Sequence, residues 1–379
     1  MNKIEQMLQE LCPEGVEYKK LGEVCEFQRG NTITAKEAVE GDVPVVAGGQ
    51  RPAYYHNIAN RQGKTVVVAG SGAYAGFVTY WEIPIFVSDA FSVNPNGCLD
   101  AKYLYYYLKN IQEKIHATKK GSGVPHVHGS SIAKFEIPAP PLPIQEEIVR
   151  ILDHFTELTA SLQAELQARQ EQYEYYRNKL LSFGDDIPEM KLNNVVTFMN
   201  GKGHEKYIED KGAYIVVNSK FISSDGKVIK YSNSQISPVY ENMILMVMSD
   251  LPNGKALAKC FIVDADNKYT LNQRIGAFTI RDKNLINTRF LYYILNRNKL
   301  LLSYDNGVDQ TNLRKGDILN IVIPIPPLSE QQRIVSILDK FDALVNDLSQ
   351  GLPAEIAAVQ EQYEYYRNKL LTFNHIKSN

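Results

Sequence analysis

The sequence predicts a mixed α+β fold built twice over: two β-rich globular domains, each followed by a long helix. Three observations carry this. "EQYEYYRNKLL" stands at 171–181 and again, letter for letter, at 361–371. "IPAPPLPIQEEIVRILDHF" (137–155) matches "IPIPPLSEQQRIVSILDKF" (323–341) at 12 of 19 positions. The chain's 379 residues exceed the usual size of one hydrophobic core, so the repeat reads as two domains. The boundaries predicted are a globule at 1–140, a helix at 141–183, a second globule at 184–327 and a second helix at 328–379.

The first globule enters through "YKKLGEVCEFQRG" (18–30), which is echoed by "EMKLNNVVTFMNG" (189–201) at the entry to the second. Short runs rich in β-branched and aromatic residues follow: "KTVVVAG", "GFVTYW" and "IPIFVSDAFSV" in the first globule, "NMILMVM" and "RIGAFTI" in the second. Gly, Pro, Asn and Asp bound them, which is the pattern of strands. "DAKYLYYYL" (100–108) and "NTRFLYYIL" (287–295) are helices with Asp100 and Asn287 as N-caps, and their tyrosines pack inward. The loops between these frames do not resemble one another: "GNTITAKEAVEGDVPVVAGGQRPAYYHN" has no counterpart in 200–235.

Each proline-rich segment turns an extended chain into a helix. From Ile148 the apolar positions run through Ile151, Leu152, Phe155, Leu158, Leu162, Leu166, Tyr173, Tyr176 and Leu180 at helical spacing. That is a helix of about 40 residues, roughly 60 Å long. Pro143 stands near its start, where proline is tolerated, while the second copy has Ser329 and Gln332 in the spacing of a capping box. The second stripe passes Ile334, Leu338, Phe341, Leu344 and Leu348, then meets "SQGLPAE". Gly351 and Pro353 should interrupt it before Ile356, Val359, Tyr363, Tyr366 and Leu370 resume.

Hydrophobic residues make up 44% and charged residues 22%, ordinary for a soluble protein. No apolar run approaches the ~18 residues of a membrane span. The N-terminus "MNKIEQMLQELCPEGVEY" lacks the apolar core of a secretory signal, so a cytoplasmic location is expected. Cys12, Cys25, Cys98 and Cys260 are scattered and read as free thiols. The net charge of −2 argues against nucleic acid until its distribution is read. Residues 1–140 carry 14 basic and 14 acidic side chains and residues 184–327 carry 18 and 15, so the excess acidity belongs to the repeated helices. Basic patches on the globules are thereby allowed.

No catalytic constellation emerges. "GKT" (63–65) lacks the glycine a phosphate loop needs five residues before Gly63, where Ile58 stands, and reads as a turn before a strand. "GSGAYAG" (70–76) leads into another β-run rather than a helix, so it is a glycine-rich turn that lets other backbone come close. "HVH" (126–128) offers two imidazoles but no third metal ligand nearby in sequence. The Asn-Pro-Pro-aromatic tetrapeptide of amino-methylating enzymes is absent, "VNPNG" (93–97) lacking its second half. "YEYYR" in the long helices places Tyr173 and Tyr176 on the seam. Tyr175, Arg177 and, in the second copy, Tyr365 and Arg367 are left as candidates for binding a protein partner.

Taken together, the two proline-rich blocks, the two "EQYEYYRNKLL" blocks, "GLPAEI" (351–356) and the entries "YKKLGEV" and "MKLNNVV" resemble the DNA-specificity subunit of type I restriction-modification enzymes. The likeness covers essentially the whole chain. It implies that the globules are target-recognition domains, each reading half of a bipartite, asymmetric site in double-stranded DNA. It also implies two long helices paired antiparallel, a pseudo-two-fold repeat, and docking of two methyltransferase subunits, with motor-nuclease (restriction) subunits joining for cleavage. No cofactor is then expected on this chain. S-adenosylmethionine for adenine-N6 methylation, and ATP and Mg for restriction, would bind the partners.

The family supplies no base-contacting residues by motif, so candidates come from side-chain chemistry on loops. In the first globule they are Arg29, Asn31, Gln50, Arg51, Ser71, Tyr74, Lys119, Lys120, Ser122, His126 and His128. In the second they are Lys202, His204, Asn218, Lys220, Asn272, Gln273, Arg274, Gln310, Asn312 and Arg314. A coiled-coil scaffold joining proteins without DNA specificity is the competing reading, for which the near-neutral charge speaks.

Overall fold

The computed structural model describes residues 3–121, 123–252, 254–347 and 350–374. It divides into two compact units, Met1–Glu165 with Leu352–Asn379, and Leu166–Gly351. These units draw together parts of the four predicted segments. Each unit combines one globule, the helix segment that follows it, and the "EQYEYYRNKLL" block that precedes a globule in the repeat. For the first unit that block comes from the end of the chain.

In the first unit a four-stranded antiparallel sheet has the order Cys25–Arg29, Ala90–Pro95, Thr65–Ala69, Val78–Trp81. "TVVVA" is buried along its whole length because both faces of this sheet are covered. Val66 and Val68 enter a core with the tyrosine helix, while Val67 packs with Ile85 and Val87 on the other side. A second, mixed sheet has the order Tyr54–His56, Val43–Val46, Phe86–Val87, the last pair being parallel. The entry strand Tyr18–Lys20 pairs with Glu136–Pro138.

The second unit repeats every part of this frame. Its four strands are Val196–Asn200, Ile275–Ile280, Ile244–Val247 and Cys260–Ile262. Its mixed sheet is Tyr231–Ser232, Tyr214–Val217 and Tyr269–Leu271, again with the last pair parallel. Glu189–Lys191 pairs with Val322–Pro324. The loop in the first globule that has no sequence counterpart in 200–235 therefore has a structural one. Strand pairing is made by backbone groups, which leave few demands on side-chain identity.

Tyrosine helices Ala101–Asn110 and Thr288–Leu295 start as predicted: Asp100 accepts from the Lys102 and Tyr103 amides, and Asn287 from those of Arg289 and Phe290. Each is then tied to the proline-rich helix start by one buried glutamine. Gln145 accepts from Asp100 N–H and donates to the Cys98 and Pro140 carbonyls. Gln331 does the same with Asn287, Leu285 and Pro326. Further along, Tyr106 donates to Asp153 at 2.6 Å and Tyr293 to Asp339 at 2.5 Å.

The first long helix is one uninterrupted element, Leu142–Leu180, of 39 residues. The second is broken into Leu328–Asn346 and Leu352–Leu370, of 19 residues each. Leu348 lies outside the described residues. The capping box at Ser329 and Gln332 does not form, because the helix begins at Leu328, two residues before a Ser329 cap would start it. Pro327 is the cap, and its carbonyl accepts from Glu330 and Gln331, as that of Pro141 accepts from Ile144 and Gln145. In the first unit Phe155 stacks on Tyr366 and meets Tyr363, while Leu370 and Leu371 enter the core that holds Ile144 and Ile148. In the second, Tyr173 and Tyr176 meet Phe341, while Leu180 packs against the core that holds Ile334. In both units the contact order runs in opposite directions along the two helices, which makes each pair antiparallel. Among the described residues no helix is long and apolar enough to cross a membrane.

Candidate nucleic-acid interface

The frame brings loops together at one edge of each unit. In the first, Arg29, Ser71, His126 and His128 line a cavity of about 320 Å³, and Asp89 lines it with them. The reason lies in the backbone. Gly30, directly after its strand, donates to the Ala90 carbonyl, and a Cβ there would collide with the carbonyl oxygens of Val87 and Ser88. Gly70 donates to Asp89 and accepts from Val127, so the glycine-rich turn seats the "HVH" segment beside it. The two imidazoles lie stacked, with ring centroids 6.4 Å apart, and no group of three or more metal-ligating side chains occurs among the described residues.

Other candidates border this cavity. Asn31 follows Gly30 and is exposed, its amide bonded to Val87. Gln50 and Arg51 sit on a hairpin turn brought close by Gly48, whose missing Cβ makes room for the Ser71 carbonyl. Tyr74 is exposed on the turn that carries Ser71. Lys119 and Lys120 lead into the loop that returns at His126, which exchanges two backbone hydrogen bonds with Lys120. Ser122 lies outside the described residues.

In the second unit the corresponding backbone bonds recur. Gly201 donates to Ile275, Met248 donates to Arg274, and Leu313 donates to Met248. Ser249 pairs with Asn312 as Ser71 pairs with His126. Lys202, Asn272, Gln273 and Arg274 thus gather at this edge, where Lys202 forms a backbone bridge with Asn272. Gln310, Asn312 and Arg314 line a neighbouring cavity of about 310 Å³ together with Asp309 and Asp317. Gln310 donates to the Ser249 hydroxyl at 2.7 Å, and Gln273 donates to Glu205 at 2.8 Å.

Several candidates have other employment. His204 is fully buried, with Nδ1 2.6 Å from the Lys202 carbonyl and Nε2 2.8 Å from the Thr270 hydroxyl, so it cannot touch a base. Asn218 caps the helix Ser219–Ser223 by accepting from the Phe221 amide, and Lys220 projects from that short helix rather than from a loop. The helix arginines are internal anchors. Arg177 donates to the carbonyls of Tyr293 and Asn296, and Arg367 donates to Asn110 while lying over the Tyr363 ring. Tyr175 and Tyr365, by contrast, are 61% and 60% exposed.

Two residues that matter were not legible as candidates. Arg61 is buried and donates to Ser92 and to the carbonyls of Asn60, Gln28 and Arg29. It fixes the end of the strand that presents Arg29, and burial pulls its pKa below the ordinary arginine value. Asp89 carries no such signal in the sequence, because cations and amides are the side chains a duplex ordinarily attracts.

Comparison with known proteins agrees with the geometry. Residues 13–170 and 185–358 each match the model of the type I restriction modification DNA specificity domain. The chain is 34% identical to the type I restriction enzyme EcoR124I/EcoR124II specificity subunit of Escherichia coli, over 72% of this chain and 70% of that one. It is 24% identical to the type I restriction enzyme MjaVIII specificity subunit of Methanocaldococcus jannaschii, over 88% and 87%. The crystal structure of the type I restriction-modification S subunit from M. genitalium shares its fold, with a TM-score of 0.62 and 17% identity over 94% of this chain and 96% of that one. With two copies of one recognition frame, each matched by the same domain model, the chain belongs to the DNA-specificity subunits of type I restriction-modification systems.

Proposed function

We propose that each unit reads one half of a bipartite, asymmetric duplex site through the edge just described, and that the helices set the gap between the halves. The observation that carries this is one backbone frame bearing two side-chain sets. Where the first unit presents His126 and His128, the second presents Asn312 and Arg314. Identical frames place the readers alike, and different side chains make the half-sites differ. The chain's near-neutral charge is compatible with this, since the acidic excess is carried by the helices. Those helices, with Tyr175 and Tyr365 outward, are proposed to dock two methyltransferase subunits. Methylation of adenine N6, and cleavage where restriction subunits join, are assigned to the partner chains, which would bind S-adenosylmethionine, ATP and Mg. Methylome sequencing of a host expressing this chain with its partners tests the proposal. A split motif with two unlike halves is expected; a continuous or palindromic motif would overturn it.

A further inference from the structure

The two units carry opposite charges at one equivalent backbone position. In the first, the Gly70 amide donates to the Asp89 carbonyl; in the second, the amide at the same place in the sheet, that of Met248, donates to the Arg274 carbonyl. Strand register supports the match, since Ala69 pairs with Ala90 and Val247 pairs with Ile275, the residues that follow Asp89 and Arg274. On the preceding side, Ser88 donates to Val46 and Asn272 donates to Val217. Between those fixed points the first unit has Asp89 alone and the second has Gln273 and Arg274. The extra residue is accommodated by a left-handed backbone at Arg274, with φ 69°. A non-glycine residue held there costs free energy that a surface loop would ordinarily avoid.

Both side chains are exposed. Asp89 lines the cavity that also holds Arg29, His126 and His128, and its Oδ1 accepts from the Thr32 hydroxyl at 3.2 Å, which orients it. A carboxylate on a surface meant to approach phosphates is repelled by them, so its place there is explained by contact with a hydrogen-bond donor. On a duplex that donor is an exocyclic amino group. Cytosine N4 is the major-groove amino group that an acidic side chain accepts from, and guanine O6 and N7 are the partners of arginine.

We infer that Asp89 and Arg274 are paired specificity residues: Asp89 selects a cytosine amino group in one half-site, and Arg274 selects a guanine in the other. This rests on the reading of the two edges as DNA-recognition surfaces. One framework position thereby sets one base in each half, and inverting its charge inverts the preference.

The test is binding-site selection with the assembled complex of this chain and its methyltransferase subunits, comparing wild type with Asp89→Ala, Asp89→Asn, Arg274→Ala and Arg274→Lys. Each alanine variant should lose roughly ten- to hundred-fold discrimination at a single position, in one half-site for Asp89 and in the other for Arg274. Asp89→Asn should move the preference at its position toward adenine, which an amide recognises. Thermal melting of each variant confirms that it is folded. If wild type itself does not distinguish a selected site from random duplex, the DNA-recognition reading of the edges fails. If wild type is selective but the folded variants keep every base preference and change only affinity or salt dependence, the inference fails while that reading stands.

Discussion

At the scale of single residues, the polar groups that hold each unit together are more telling than the exposed ones. Glu147 is nearly buried and accepts from Arg150 at 2.7 and 2.9 Å and from Lys3 at 2.9 Å. The Arg150 bonds first, and Lys3 with them, hold its carboxyl down at about 2. A carboxyl depressed in the folded state stabilises it fully above its unfolded value near 4.5, and that contribution is lost as pH falls toward about 2. Because Lys3 begins the helix Lys3–Leu11, that helix should loosen first in acid. Hydrogen exchange of its amides, corrected for intrinsic rates, should speed up between pH 5 and pH 2, and Glu147→Gln should show the faster exchange already at pH 7. Unchanged protection in both would disprove the coupling. The same preference for internal partners explains which sequence candidates are already engaged within the fold. His204, Asn218 and Arg177 have the chemistry of base or partner contacts, yet each has a carbonyl, hydroxyl or amide within its own unit to satisfy. Sequence shows the polar side chain and not the partner that folding places beside it.

At the scale of elements, strands and helices were legible where packing demands a side-chain pattern, and illegible where backbone alone decides. The tyrosine helices, their Asp100 and Asn287 caps and the break before Leu352 follow from periodicity and capping chemistry. The mixed sheets within the dissimilar loops do not, since Val43–Val46 and Tyr214–Val217 share a pairing scheme without sharing residues. Gly30 and Gly201 are exceptions that could have been read, because they directly follow the strands Cys25–Arg29 and Val196–Asn200 in the echoed segments. Their role is close approach. At Gly201 a Cβ would collide with the carbonyl oxygens of Leu271 and Asn272, as at Gly30 with those of Val87 and Ser88. Neither obstacle is a flexible side chain, so Gly30→Ala and Gly201→Ala should each destabilise their unit by about 1–3 kcal/mol. The single tryptophan, Trp81, lies in the first unit and reports on it. Urea titration followed by its fluorescence should show a lower midpoint for Gly30→Ala, and far-UV circular dichroism a lower midpoint for Gly201→Ala. Midpoints equal to wild type would mean that the strand ends can shift to make room.

At the scale of the whole molecule, the duplication is plain in the sequence, and the fold adds how each unit closes. The repeat is read in the order globule then helix, whereas each compact unit closes around a globule with helix segments from both sides of it. The cause is the antiparallel packing within each unit: Phe155 needs Tyr366, and Phe341 needs Tyr176, although 211 and 165 residues separate those partners in sequence. One consequence bears on function. The chain leaves the first unit at Glu165 and enters the second at Leu166, in the middle of its only unbroken 39-residue helix among the described residues. If that helix sets the gap between half-sites, its length is the adjustable quantity. Four residues added within 158–168 lengthen an α-helix by about 6 Å and turn it by about 40°. That is close to two base pairs of duplex, at ~3.4 Å each. The reading edges, made from residues outside this stretch, are untouched. Binding-site selection on the insertion variant, and on the matching four-residue deletion, should therefore return the original half-sites with a longer and a shorter spacer. Changed half-sites with the original spacer would show that the helix does not measure the gap and that the edges depend on more than their own frame.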